Sequence, residues 1–248
     1  LIKNLDQDHT GILEKIESNS QKLLFFSTVK SGLVPYEIGK GTPSQTKELK
    51  DNRIYHSRKK IDKTYMKILE GEDVQRYNCN WSGQYIKYGE NLAAPRKDFN
   101  LYNSKRIVVR QIPTKPPYCI QGTYIEDLML IDMNSMIIYK FKVSPLLILG
   151  ILNSKIISYW FVLKFGKFQR DTFPQFKVNE LAIFPFPKNI LNEDNDYKKI
   201  IELVKRKIKD PEINQIDNEI DELVYNKFGL SKKDRSIIEE YLNKFQNN

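Results

Sequence analysis

"SPLLILGILNSKIISYWFVLKF", Ser144 to Phe165, is the most apolar window in the chain, and the fold turns on how it is read. A single helix of this length is long enough to cross a bilayer. Asn153, Ser154 and Lys155 break the window near its middle, where polar groups cost a spanning helix most. It therefore reads as a helix buried inside a globular protein, with no membrane partner. Ser144 can cap it, and Pro145 suits its first turn. Leu146, Leu149, Leu152, Ile156, Tyr159 and Trp160 share a broad apolar face, which predicts packing against a sheet.

The sheet lies upstream. From roughly Arg53 to Tyr139 the runs "GQYIKYG", "RIVVRQI", "TYIEDLMLID" and "MIIYKF" are rich in Val, Ile and Tyr and bounded by Gly, Asn, Asp and Pro, which is strand composition. In "RIVVRQI" a period of two places Ile107, Val109 and Gln111 on one face and Arg106, Val108, Arg110 and Ile112 on the other. Downstream, "FGKFQRDTFPQFKVNELAIFPFP" predicts another extended stretch from Glu180 to Phe184. Three helices follow by pattern: Ile200 to Ile208, a second opened by Pro211 and stopped by Gly229, and a third capped by Ser231.

Ahead of the sheet, "TGILEKIESNS" makes a short amphipathic helix on Ile12, Leu13 and Ile16. "VKSGLVPYEIGKGTPSQT" is then an irregular loop, whose glycines suit either solvent or the close approach of a phosphate. The expected fold is α+β. A linker helix over residues 1–19 leads into a mixed β-sheet domain with a packed apolar helix over 20–190, and a helical C-terminal extension fills 191–248.

The chain has 248 residues, 40% of them hydrophobic, and 40 Lys and Arg against 31 Asp and Glu give a formal charge of +9. The excess is concentrated. Residues 53–115 carry 14 basic and 6 acidic side chains, a net +8, while residues 191–248 carry 11 and 13. An anionic partner is implied. Cys79 and Cys119 form no CxxC motif and lie far from His9 and His56, so neither a disulfide framework nor a metal site is expected, and a reducing, cytoplasmic setting fits. No signal peptide opens the chain, which begins at Leu1 without a methionine before Met66 and so reads as part of a longer polypeptide.

Lys115-Pro116-Pro117-Tyr118 invites comparison with the Asn/Asp/Ser-Pro-Pro-Tyr loop of DNA amino-methyltransferases. That chemistry needs a hydrogen-bond acceptor at the first position, to orient the lone pair of the target amine, and a tyrosine that stacks on the flipped base. Lysine only donates, and its charge opposes a sulfonium donor. Nor does a strand followed by a glycine-rich turn precede it, since "GKG" at Gly39 to Gly41 follows no apolar strand and opens no helix. "KPPY" therefore reads as a rigid turn after a strand. "ELK" at Glu48 to Lys50 supplies only half of a metal-dependent nuclease motif, and no GxSxG, HExxH or Walker loop occurs. Catalysis by this chain alone is not expected, and neither is a cofactor within it.

Binding chemistry is better supplied. Through residues 53–118 the cations are interleaved with Tyr55, Tyr65, Tyr77, Trp81, Tyr85, Tyr88, Phe99, Tyr102 and Tyr118, a mixture suited to nucleic acid. The bland alternative is that the aromatics are core and the lysines solvated.

The order "KSGLVPYEIGKGTP", "ILEGEDVQRYNCNW", "YIKYGENLAAPRKDFNLYNSKRIVVRQI", "LGILNSKIISYWF" and "FPQFKVNELAIFPFP" resembles the C-terminal target-recognition (specificity) domain of TaqI-like and Eco57I-like adenine-N6 DNA methyltransferases and type IIG restriction-modification enzymes. The tail "IDNEIDELVYNKFGLSKKDRSIIEEYL" is similar to the helical end of Eco57I-type chains. The resemblance implies sequence-specific recognition of double-stranded DNA. It also implies an N-terminal methyltransferase domain upstream of Leu1, which would hold S-adenosylmethionine and the true catalytic loop. A parent enzyme of this kind is a site-specific adenine methyltransferase, with or without a nuclease. A fragment of a type I specificity subunit, an RNA-binding module and a non-catalytic partner-binding module are the competing readings.

No base-reading position carries over from the family. From side-chain chemistry the DNA-binding candidates are Arg53, Arg58, Lys59, Lys60, Arg76, Arg96, Arg106, Arg110, Gln111 and Lys115, with Lys167 and Arg170 behind the apolar helix. A structural role stays open for Arg76, because "GEDVQRY" recurs in the family regardless of target.

Overall fold

The computed structural model describes residues 6–166, 175–192 and 194–245. Among them the first sheet has the order β2 (Thr28–Ser31), β11 (Ser135–Tyr139), β8 (Arg106–Arg110), β9 (Gly122–Ile125) and is antiparallel throughout. In the second, β10 (Leu130–Ile131) runs parallel to β4 (Tyr65–Leu69), which pairs antiparallel with β7 (Tyr85–Lys87), and β7 pairs with β3 (His56–Ser57). Two small antiparallel pairs join β1 (Ser20–Lys22) to β12 (Pro185–Pro187) and β5 (Val74–Gln75) to β6 (Asn78–Cys79). Short helices α2 (Leu23–Phe26), α3 (Lys47–Asp51), α4 (Asn100–Asn103) and α7 (Val178–Leu181) connect these elements. The fold is α+β with mixed strand directions and a helical C-terminal region.

The first sheet is a wall with a core on each face. The alternation of "RIVVR" sends Ile107 and Val109 into one core with Met136 and Ile138, and Val108 into the other with Ile137 and Tyr139. The first core also takes Ile12 and Ile16 of α1 (Gln7–Ser18), the apolar window at 144–165, and the inner faces of α8 (Asn195–Lys209), α9 (Asn214–Lys227) and α10 (Lys232–Asn243). It therefore runs across residues 19/20 and 190/191, where the sequence suggested a linker and an extension. The N-terminal helix is docked on the last one, with Lys15 paired to Asp234 at 2.9 Å and Lys233 to Asp8 at 3.2 Å.

The apolar window is two helices, not one. α5 (Pro145–Leu152) and α6 (Lys155–Phe165) meet at 60°, and among the described residues no single helix is long and apolar enough to cross a membrane. Ser144 takes the N-cap position of α5 but makes no side-chain capping bond. The polar break has a structural task. The Asn153 side chain accepts from Gly122 N–H at 3.1 Å and donates to Gly122 C=O at 2.9 Å, replacing a missing strand neighbour for β9. Ser158 Oγ accepts from Cys119 N–H at 2.9 Å, and Lys155 N–H donates to the buried Asp221 at 2.9 Å. Residues that a bilayer would penalise satisfy backbone inside the protein.

One extended segment is corrected. Residues 178–181 form α7, closed by a capping bond from Lys177 N–H to Glu180, and only Pro185–Pro187 is strand. The helical signal there is one turn long, too short for apolar periodicity to reveal.

Candidate nucleic-acid interface

β8 ends at Arg110 opposite Ser135 of β11, and β2 ends and β9 begins at this same end of the first sheet. β4 of the second sheet ends at Leu69 beside Ile131, and from there Asp132 to Asn134 turn the chain into β11. The two sheets thus share a rim. Most of the candidate cations collect along it.

Arg53 follows α3 with φ of 47° and pairs with Glu70, which stands just beyond β4. Arg58 follows β3 and donates to Ser82 C=O at 2.7 Å, while Ser82 N–H donates to Asp73 at 3.0 Å. Lys59 and Lys60 come next and are exposed. Arg96, at φ 57°, donates to Gly32 C=O at 3.1 Å and to Ser31 Oγ at 2.8 Å, at the end of β2. Lys115 is exposed in the β8–β9 connection. Left-handed backbone costs a side-chain-bearing residue about 1 kcal/mol or more, so both arginines are held in place by their partners against a local preference.

Three candidates are corrected, because their side chains lie inside. Arg106 is 0% exposed, and its guanidinium donates to the carbonyls of Ser104, Asp127 and Met129 at 2.7–3.2 Å. Burial pulls its pKa down to about 10. Gln111 donates to Met133 C=O at 2.7 Å. Arg76 pairs with Asp217 of α9 at 2.7 Å, donates to Asn153 C=O at 3.0 Å and lies over the Tyr118 ring at 3.8 Å, so its role is structural. Lys167 and Arg170 lie outside the described residues.

The aromatic reading is also revised: Tyr55, Tyr65, Tyr77 and Tyr102 belong to the buried cores. Tyr55 stacks on Tyr36, and the Tyr36 hydroxyl accepts from Tyr55 N–H at 2.8 Å and meets His56 Nδ1 at 2.9 Å. Burial, helped by the Arg53 charge, lowers the His56 pKa to about 4, and burial raises that of Tyr36 to about 12.

In "KPPY" the expected turn forms, and Tyr118 is taken: its hydroxyl donates to Asp221 at 2.8 Å beneath Arg76. It is not placed to stack on a base. The glycine loop is likewise packed on its own chain. A Cβ at Gly41 would stand 2.5 Å from Asn91 C=O, whereas one at Gly39 would meet nothing within 4 Å.

At the rim a cavity of about 350 Å³ is lined by Arg53, Arg110, Glu70, Glu72, Asp132 and Asn134. Burial, with Glu70 and Asp73 nearby, pushes the Asp132 pKa up to about 7, although Asn134 donates to both carboxylate oxygens. These acids are not among the basic candidates that side-chain chemistry singles out in the sequence. The signal was present in "EGED" directly after a strand and in "DMNS" between two strands, since carboxylates accept from base amino groups.

Residues 66–186 match the family model of the TaqI-like C-terminal specificity domain. Over 228 residues it is 28% identical to "Putative type II restriction enzyme and methyltransferase RM.MjaORFECS2P" of Methanocaldococcus jannaschii, covering 86% of this chain and 18% of the relative. The chain thus spans less than a fifth of that protein's length. Its fold is similar to that of the Type IIL restriction-modification enzyme MmeI, solved in complex with DNA, with a TM-score of 0.50 and 10% identity over 93% of this chain and 37% of that one. The type IIG restriction endonuclease BpuSI matches at a TM-score of 0.48 and 11% identity, over 90% and 33%.

Proposed function

We propose that this chain is the DNA-reading part of a restriction-modification enzyme, which recognises a specific sequence in duplex DNA. One observation carries the reading: the specificity-domain match at 66–186 takes in Arg96, Arg110 and Lys115, and Arg53, Arg58, Lys59 and Lys60, just ahead of the matched span, join them at the same rim. Lysines hold phosphates there, and arginines reach base edges. In this reading methyl transfer to adenine N6, with S-adenosylmethionine, belongs to an upstream catalytic domain of the parent enzyme, which is this chain's second partner.

The test is the salt dependence of duplex binding. The chain should bind duplex DNA with an affinity that falls linearly in log[salt], and Lys59→Ala and Lys60→Ala should each reduce the slope by about one unit. Binding that is absent or indifferent to salt would favour the partner-binding alternative. For the parent enzyme, N6-methyladenine at one recurring sequence in the DNA of expressing cells is the expected product.

A further inference from the structure

Arginines and carboxylates line the rim cavity together, and most of them are already engaged. Arg53 and Glu70 are paired with each other, and Asp132 accepts from Asn134 N–H at 3.0 Å and Nδ2 at 2.7 Å. Arg110 and Glu72 are different. Neither makes an ion pair or a side-chain hydrogen bond among the described residues, although they carry opposite charges on one cavity. A fork of donors and an acceptor thus line the same cavity with no partner of their own among the described residues.

A phosphate is a poor occupant, because Glu70, Glu72 and Asp132 would repel it. A neutral group with adjacent acceptors and a nearby amino donor fits. The major-groove edge of a G·C pair has that pattern: N7 and O6 of guanine accept, and N4 of cytosine donates. An A·T pair fits less well, since adenine sets a donor beside its N7, which would meet the arginine donors.

We propose that Arg110 and Glu72 read one G·C base pair of the target, with Arg110 donating to guanine O6 and N7 and Glu72 accepting from cytosine N4. The inference rests on the DNA-recognition reading above. It adds one base pair of the site and one acidic reader to it.

The experiment is selection of bound duplexes from a random pool by the 248-residue chain, followed by affinity measurements on the selected site and its single-base variants. Wild type should require G·C at one position, by roughly 10- to 100-fold over the other pairs. Arg110→Ala and Glu72→Gln should both flatten the preference at that position and keep the rest, with melting temperatures near wild type. Arg110→Lys keeps the charge and loses the fork, so it should lose the preference while retaining the salt slope. If Arg110→Ala weakens all sequences alike and lowers the salt slope, Arg110 holds a phosphate and the inference falls. If the variants keep every preference, it falls as well, while the DNA-recognition reading stands. If wild type selects no sequence, the DNA-recognition reading itself fails.

Discussion

Asn153 shows how much one polar residue in an apolar window can carry. Its amide satisfies a buried N–H and a buried C=O of Gly122, so Asn153→Ala should cost about 2 to 5 kcal/mol in urea unfolding, well above a typical core-surface exchange. Asp132 gives a second residue-level test. Its folded pKa of about 7 lies above the ordinary 3.8, so the folded state binds the extra proton between those values. Its burial therefore costs least below pH 4, and stability is lost as pH rises from about 4 to 7. Asp132→Asn removes the titration, so the stability difference of variant minus wild type should grow across that window and level off above pH 7. A difference that stays flat with pH would refute the shift. Neither role is legible in the sequence, because Gly122 stands 31 positions from Asn153 and burial of Asp132 is made by the packing of distant elements.

At the scale of elements, periodicity was a good guide where helices are long. Three tail helices, the Ser231 cap, whose hydroxyl accepts from Asp234 N–H, and the stop at Gly229 with φ of 69° appear as expected, but the second helix begins at Asn214 and Pro211 lies in the turn ahead of it. It failed where one pattern hides two elements: α5 and α6 share a continuous apolar run, and "TYIEDLMLID" feeds β9 and β10 into different sheets. It also gave the faces of β8 correctly but not their surroundings. Both faces of that strand are buried, so an arginine on either of them goes inside unless it reaches the rim, which Arg106 does not and Arg110 does. Gly150 marks another feature invisible to pattern, the close crossing of α5 on α8. A Cβ there would stand 2.8 Å from Ile200 Cγ2 and Val204 Cγ2. Alanine gains about 1 kcal/mol of helix propensity over glycine, but overpacking costs about 1 to 3 kcal/mol. Gly150→Ala should thus lower the unfolding midpoint, and Gly150→Val should lower it further; an unchanged or raised midpoint for Gly150→Ala would show that α8 gives way.

For the whole molecule the decisive fact is that the first core includes both ends of the described chain. Removing residues 194–245 would uncover the α5 surface that α8 and α9 cover and leave Arg76 buried without Asp217. Stranding one member of a buried pair costs about 3 to 5 kcal/mol by itself. A chain ended at residue 193 should show no cooperative thermal transition and should aggregate; a sharp, reversible melt would mean that the helices are an appendage after all. Across the first sheet the situation is reversed. Its side chains are committed in two directions, so the lobe that carries the second sheet and the helical base that roots the chain draw on separate stores of packing. For the DNA-reading role proposed above, such a partition lets loops at the rim change while the foundation beneath them goes on folding as before.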